Sequence, residues 1–469
     1  MRTSLFLLGL AICAIAFYPY AWSQELETGK VLPEVPCRED PEQSYALFLP
    51  SSYTPEKKWP ILYALDPAAR GQVPVDLFLH AAEKHGYILA GSNNARNGPW
   101  QDVFKSLILL WNDTKDRFSL DERRIYVTGF SGGSRAASLF ARVIMHPVAG
   151  IIGCGAGLAK SLIKAEQISP AYYLGIVGMS DFNYREMLLL RDRLREHGVF
   201  HRFITHRGGH DWPSEDICLR AIEWMEIVGM KNHFRAMNED LIRTVFQKEQ
   251  ERARLLEISG ELSRALSLYK ILADTFCAWQ DTRSLLAKIR EIQAQDAYQR
   301  DALEENDIQK REIAYLRKFG QIFSRMEKNP EIENLESFVE SFELKELKAM
   351  AVQEKASRNY FLAVRLLQGL EIDAGSKGRD FFQKGYFDKA IPSFEVAARS
   401  GSTDSINKKN IYYSLACAYA RTNNEKRALI NLRLAVEHGF DDIEHIKQDE
   451  DLVSLRDSEE FQKIVQKKT

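Results

Sequence analysis

Proline is scarce in this sequence, 15 residues in 469, and unevenly placed. Between Pro213 and Pro392 the only proline is Pro330. Proline removes an N–H and breaks a helical ladder, so this stretch is free to form long helices. A surplus of charge is also missing, since 63 basic and 65 acidic residues leave a formal net charge of −2. A chain so balanced has no global electrostatic reason to bind nucleic acid or acidic lipid. Hydrophobic residues at 45% and charged residues at 27% exclude wholesale disorder, a collagen-like chain and a polytopic membrane protein. Cysteines number 6, and no two have zinc-type spacing. At roughly 100–200 residues per domain, two or three domains are expected.

The N-terminus carries the one apolar run that stands out. Arg2 precedes Leu5 to Phe17, and Ala21-Trp22-Ser23-Gln24 follows. A basic start, an apolar core of ~7–15 residues and small residues two apart form the pattern of a secretory leader. It predicts a signal peptide over residues 1–23, cut before Gln24, and a periplasmic or secreted protein. The run falls short of the ~20 apolar residues that a membrane span needs, so no stable span is expected after cleavage. Cys37, Cys154, Cys218, Cys277 and Cys417 would then remain. An odd number leaves at least one thiol unpaired within the chain. One disulfide is compatible with export, but the spacing does not select a pair.

Two periodicities divide the rest. From about residue 40 to 227, short apolar runs alternate with amphipathic stretches. Tyr45 to Leu49, Ile61 to Leu65, Tyr87 to Gly91 and Arg124 to Thr128 read as strands, as do Gly150 to Gly153, Tyr173 to Val177 and Phe200 to Ile204. Helices are predicted at Asp76 to His85, Ser134 to Met145 and Tyr184 to His197. Near-continuous apolar strands alternating with helices mean an α/β fold around a buried, mostly parallel sheet. From about 231 onward the pattern is helical throughout. Gly378, Phe381, Gly385, Ala390, Phe394 and Ala397 recur 38 residues later as Ala416, Tyr419, Asn423, Ala428, Leu432 and Ala435. Small residues at these places let two antiparallel helices approach closely. The pattern resembles tetratricopeptide repeats, whose period is ~34 residues, with a longer connection around Gly401-Ser402-Thr403. An upstream unit centres on Gly260, Ala265 and Tyr269, with Ala253 and Leu256 before it. The charge run Asp301 to Arg311 reads as a solvated helix face.

The chemistry is concentrated in Gly129-Phe130-Ser131-Gly132-Gly133, which follows a predicted strand and opens a predicted helix. This is the G-x-S-x-G nucleophile elbow in its strand–turn–helix setting. A Cβ at the flanking glycines would collide with the neighbouring strand and helix. Serine needs a base, and the base needs an acid, in the chain order Ser, Asp/Glu, His. Asp181 stands just past the strand Tyr173 to Val177, and His210 follows Gly208-Gly209 after the next strand. Asp211 and Asp216 are the rival acids. The oxyanion hole takes one donor from the N–H of Gly132, directly after the nucleophile. The other comes from the loop after the third strand, Asp66-Pro67-Ala68-Ala69-Arg70-Gly71, where Pro67 has no N–H and Ala68 is the expected donor. Asp66 and Arg70 also read as a loop ion pair. In Ser92 to Gly98, past the next strand, Asn93 and Arg96 are the candidate substrate contacts.

Residues 30–230 resemble the α/β-hydrolase superfamily, in particular exported esterases of the polyhydroxybutyrate-depolymerase-like and feruloyl-esterase-like kind. The resemblance rests on the elbow, on the order of Asp181 and His210, and on the glycine–histidine loop. It implies an eight-stranded sheet and hydrolysis of a small or polymer-linked ester through an acyl-enzyme, with no metal and no organic cofactor. A serine peptidase and a catalytically silent binding scaffold are the alternative readings. So few residues separate Ser131 from His210 that no helical cap is expected, and the site should be open. A hydrolase domain over 30–230, a helical region over 231–375 and tetratricopeptide-like repeats over 376–469 are the expected units. The repeats are expected to dock a protein partner and to do no chemistry. On that division, a chain ending near residue 230 should stay folded and active.

Overall fold

A computed structural model describes residues 26–162, 172–328, 334–354, 357–401 and 407–466. The expected leader and most of the connection after Gly401 lie outside the described residues. The first half runs β1 (Val31–Pro36), β2 (Ser44–Phe48), β3 (Trp59–Leu65), α1 (Gln72–His85), β4 (Ile88–Ser92), α2 (Trp100–Arg117), β5 (Leu120–Phe130) and α3 (Gly132–Val143). It continues through β6 (Gly150–Cys154), β7 (Tyr172–Gly178), α4 (Tyr184–Glu196), β8 (His201–His206) and α5 (Glu215–Lys231). The strands form one sheet in the order β1-β2-β4-β3-β5-β6-β7-β8. β2 is antiparallel to both its neighbours, and every other pair is parallel. With helices on both faces, this is an α/β-hydrolase fold.

Three elements were not anticipated, α5 among them. β1 contains Pro33 and Pro36, which cannot donate to a ladder, so it reads poorly as a strand and takes the sheet edge. α2 follows the polar loop 92–98 and packs on the sheet beside α3. Elsewhere the alternation of side chains divides the core into two faces. Ile61, Tyr63 and Leu65 of β3 join Leu107, Leu110 and Phe140 of α2 and α3. Leu62, between them, joins Val75 and Phe78 of α1 and Ile222 and Met225 of α5.

The helical half runs α6 (Glu239–Ile258), α7 (Leu262–Phe276), α8 (Arg283–Gln293), α9 (Asp296–Lys328), α10 (Leu335–Glu340), α11 (Leu344–Ala351), α12 (Arg358–Gln383) and α13 (Phe387–Ser400). α14 (Lys408–Arg421), α15 (Glu425–Glu437), α16 (Ile443–Gln448) and α17 (Glu459–Gln466) complete it. Three antiparallel hairpins turn at residues in the left-handed region: Gly260 (φ 80°) in α6–α7, Gly385 (φ 77°) in α12–α13 and Asn423 (φ 56°) in α14–α15. The small residues five positions beyond each turn, Ala265, Ala390 and Ala428, are fully buried. At Gly378 a Cβ would press on the ring of Phe394, so this hairpin closes only because the site is glycine.

The expected boundary at 230 falls inside one hydrophobic core. The cluster under α1 and α5 continues unbroken through Ile242, Val245 and Phe246 of α6, Leu272 and Phe276 of α7 and Leu285 of α8. The reason lies in α5, where every residue from Ala221 to Met230 is buried. A helix buried all round needs cover on its outer face, and α6 to α8 supply it. A second core begins in α9 with Ile308 and runs to Val465, so the expected boundary at 376 also fails, lying inside α12. The charge run of α9 is not simply solvated: Asp301 is buried and accepts from Ser263 N at 2.8 Å and from Arg358. Cys37, Cys154, Cys218 and Cys417 are buried as single thiols and Cys277 is exposed. Among the described residues no helix is long and apolar enough to cross a membrane.

An ion cluster seals the join. Glu249 of α6 is buried and accepts from Arg202 of β8, from Arg220 of α5 at 2.6 and 2.7 Å, and from Arg252 at 3.0 Å. Burial alone would raise its carboxyl, but the guanidinium groups outweigh that and hold it down at about 2. Its contribution to stability is therefore full above the ordinary Glu range and is lost as pH falls toward 2. Glu249→Ala leaves Arg202 buried without its partner and is expected to cost about 3–5 kcal/mol at neutral pH. Chemical denaturation measures this; a loss below about 1 kcal/mol, the scale of a surface pair, would show that the two halves are not joined here.

Candidate active site

The elbow forms because its glycines leave it no alternative space. A Cβ at Gly129 would be driven into the carbonyl of Gly133, and one at Gly133 into the carbonyl of Leu65 on β3. Between them Ser131 adopts φ 52°, ψ −118°, a conformation that L-residues resist. Ser131 N–H donates to Cys154 O of β6 at 2.8 Å, which fixes the turn to the sheet. The side chain stands at the N-terminus of α3, where the positive end of the helix dipole favours a developing anion. Gly132 is the first residue of α3, so its N–H has no carbonyl within the helix to bond.

The structure brings Ser131, His210 and Asp181 together. His210 Nε2 lies 2.9 Å from Ser131 Oγ, and His210 Nδ1 lies 2.9 Å from Asp181 Oδ1. The imidazole sits between two rings, with centroids 4.6 Å away for Phe130 and 4.2 Å for Phe182. Asp181 is fully buried. Its Oδ1 also accepts from Asn183 N at 2.8 Å, while its Oδ2 has no hydrogen-bond partner among the described residues. Burial pushes this carboxyl above its ordinary value, against the pull of His210 and Asn183. Of the rival acids, Asp211 is exposed and Asp216 pairs with Arg252 at 3.7 Å. A hydroxyl on an imidazole whose other nitrogen is held by a carboxylate can lose its proton as it attacks a carbonyl.

The other expected site residues fare differently. Ala68 N–H is not free, because it donates to Asp66 Oδ1 at 2.9 Å. The Arg70 N–H also reaches Asp66 Oδ1, at 3.5 Å, while the Ala69 N–H donates to the Asp66 backbone carbonyl at 3.0 Å. A buried carboxylate must be satisfied locally, so Asp66 draws in the donors of its own loop. Asp66 does pair with Arg70, at 3.0 Å, and it also accepts from Trp212 Nε1 at 2.9 Å. It thereby ties the loop after β3 to the loop of His210. Asn93 is a fastener, with its Nδ2 3.1 Å from Pro33 O and from Ser44 Oγ, and it does not line the cleft beside Ser131. Arg96 does line it and has no acidic partner among the described residues.

Asn97 is the residue that the sequence reading passed over. A Cβ at Gly132 would strike its carboxamide, which therefore lies directly over the elbow. Its N–H donates to Pro67 O at 2.8 Å, and its side chain makes no hydrogen bond among the described residues. The cleft holds about 270 Å³, with Trp100, Val103 and Ala136 as apolar wall and Arg96 and Asn97 as polar groups. α12 stands against the loop of Asp181. A larger cavity of about 420 Å³ opens among Lys57, Lys58 and Arg124, at the opposite end of β3 and β5.

No family model matches the chain. A curated chloroplastic protein of Arabidopsis thaliana is 29% identical over 89 residues, 19% of this chain. That match spans 26% of the curated relative's length. Among solved structures, the fluorophosphonate-binding serine hydrolase FphF of Staphylococcus aureus is similar at 19% identity, over 39% of this chain and 92% of that one, with a TM-score of 0.33. The S-formylglutathione hydrolase FrmB of the same organism is similar at 18% identity, over 39% and 90%, with a TM-score of 0.32. A ferulic acid esterase is similar at 18%, over 42% and 96%, with a TM-score of 0.32.

A carboxyl whose folded pKa is raised holds its proton more tightly folded than unfolded. Its share of stability is full below the ordinary carboxylate range and falls as pH rises through the folded value. The ionised Asp181 therefore weakens the fold at neutral pH. Asp181→Asn is expected to melt above the parent protein at about pH 8, with the gap closing as pH falls into the carboxylate range. A variant that melts below the parent under the same alkaline conditions would contradict this electrostatic picture.

Proposed function

We propose that this protein is an exported serine hydrolase that cleaves carboxylic esters through an acyl-enzyme. The observation that supports it most is the alignment of Ser131 Oγ, the His210 imidazole and the buried Asp181 at 2.9 Å on either side of the ring. Ser131 attacks the ester carbonyl while its proton passes to His210 Nε2. The tetrahedral oxyanion is held by the N–H of Gly132 and, once the carboxamide turns its nitrogen to it, by Nδ2–H of Asn97. Its collapse breaks the bond to the alcohol, which takes the proton from His210. Water then attacks the acyl-serine, giving its proton to His210, and the carboxylic acid leaves as Ser131 regains it. Asp181 holds Nδ1–H throughout and so keeps Nε2 free to accept.

A silent scaffold is disfavoured by Asp181. Burying an ionisable carboxyl with one oxygen unpartnered costs stability, and binding alone gains nothing from it. The helical hairpins, taken as tetratricopeptide-like units, are the proposed docking surface for a protein partner. That reading draws on the equivalence of Ala265, Ala390 and Ala428 and of the turns before them.

Ser131→Ala is expected to lower kcat on a simple aryl ester by at least about 10⁴-fold. Thermal unfolding should stay nearly unchanged, since the Cβ and the backbone demand remain. Asn97→Ala, at an exposed site, is expected to lower kcat by about 10²–10³-fold. Near-parental turnover in the Ser131 variant would remove the assignment; near-parental turnover in the Asn97 variant would remove only the second oxyanion donor.

A further inference from the structure

The loop that carries Asp181 is held from two sides. On the inner side Met179 N–H donates to His206 O at 2.7 Å and Ser180 N–H to Gly208 O at 2.9 Å, which ties it to the segment leading to His210. On the outer side it meets α12 of the helical half. Arg365 Nη1 donates to Met179 O at 2.7 Å, and the same guanidinium lies 4.6 Å from the ring centre of Tyr184. One helical turn on, Gly369 faces Phe182, where an added Cβ would stand 3.6 Å from the Phe182 Cβ. Phe182 in turn carries its ring 4.2 Å from the imidazole of His210. Residues four apart share one helix face, so a single face of α12 touches the loop at Met179 and Phe182 and the start of α4 at Tyr184.

Arg365 is placed to act as a rigid donor. It is 5% exposed, and its Nε and Nη2 bind Glu312 of α9 at 2.9 and 2.8 Å. Glu312 neutralises its charge and locks the plane of the guanidinium, leaving Nη1 aimed at Met179 O. α12 is 26 residues long and also carries Gly378 of the α12–α13 hairpin. The same rod therefore belongs to the core of the helical half and braces the loop that carries Asp181.

We propose that Arg365 and Gly369 make α12 a positioning element for hydrolysis. Arg365 acts through Met179 to set the loop of Asp181, and α12 at Gly369 backs Phe182, whose ring lies against His210. The helical half then does no bond-making, yet turnover depends on it. This inference rests on the serine-hydrolase reading, and the test separates the two.

Arg365→Met is combined with Glu312→Leu in the full chain, so that neither charge is left buried alone. A fluorophosphonate titrates the reactive serine in each preparation, and kcat is expressed per titrated site. The double variant is expected to lose about tenfold or more in kcat with KM within about twofold, because misplacing a group that acts in the transition state leaves substrate binding intact. Arg365→Lys, which keeps a charge for Glu312 and a donor for Met179, is expected to fall between the double variant and the parent. Gly369→Leu leaves both charges in place and drives a side chain at Phe182; it carries the same expected loss and stands in if the double variant does not fold. A kcat per site within about twofold of the parent, in a folded variant, would overturn the positioning proposal alone. A parent protein with no titratable serine would overturn both readings.

Discussion

The structure depends on one strained residue. Ser131 holds φ 52°, ψ −118° at the junction of the longest strand and the helix that follows it. Such a backbone costs of order 1–3 kcal/mol and persists only where its surroundings over-determine it. Here they do: the carbonyls of Gly133 and Leu65 crowd the two flanking glycines, and the Cys154 carbonyl accepts the serine N–H. The strain lifts Oγ clear of the sheet at a helix N-terminus. Every other feature of the site is arranged around that point.

Its surroundings are costly in the same sense. Asp181 is buried with one oxygen unpartnered among the described residues, and Asp66 is buried with three kinds of donor gathered around it. One carboxylate supports the imidazole of His210, and the other fastens the loops on either side of it. The fold balances this with apolar cover drawn from beyond the sheet. α6 to α8 complete the core beneath α5, the Glu249 cluster locks them to β8, and α12 closes on the acid loop. The α/β half and the helical half are thus joined both through the core beneath α5 and at the loop of Asp181, beside Ser131.

How much of this was legible in the sequence follows from the range of each interaction. The elbow could be read because close approach of backbones demands glycine at fixed places, and such demands are local. Asp181 and His210 could be read because each stands just past an apolar strand, where side chains reach the same sheet end. The helical hairpins could be read from small residues at repeating offsets. Ala68 is no free donor because the Asp66 side chain captures its N–H, a contact that the backbone pattern does not encode. Asn93 and Asn97 differ only in the path of a loop, which composition does not encode. The boundary near 230 was misplaced because the change of period marks where strands end, not what covers α5. Arg365 lies 186 residues from Met179, a contact that no local pattern reveals.

The central claim is that Ser131 forms a covalent acyl intermediate. The direct measurement is acid quenching of the protein during turnover of an aryl ester, followed by mass spectrometry of the tryptic peptide Ile125–Arg135. The account predicts the mass of the acyl group on this peptide, with fragmentation placing it on Ser131 and not on Ser134. Steady turnover with no acyl group on the peptide, or with the group on another residue, would contradict it.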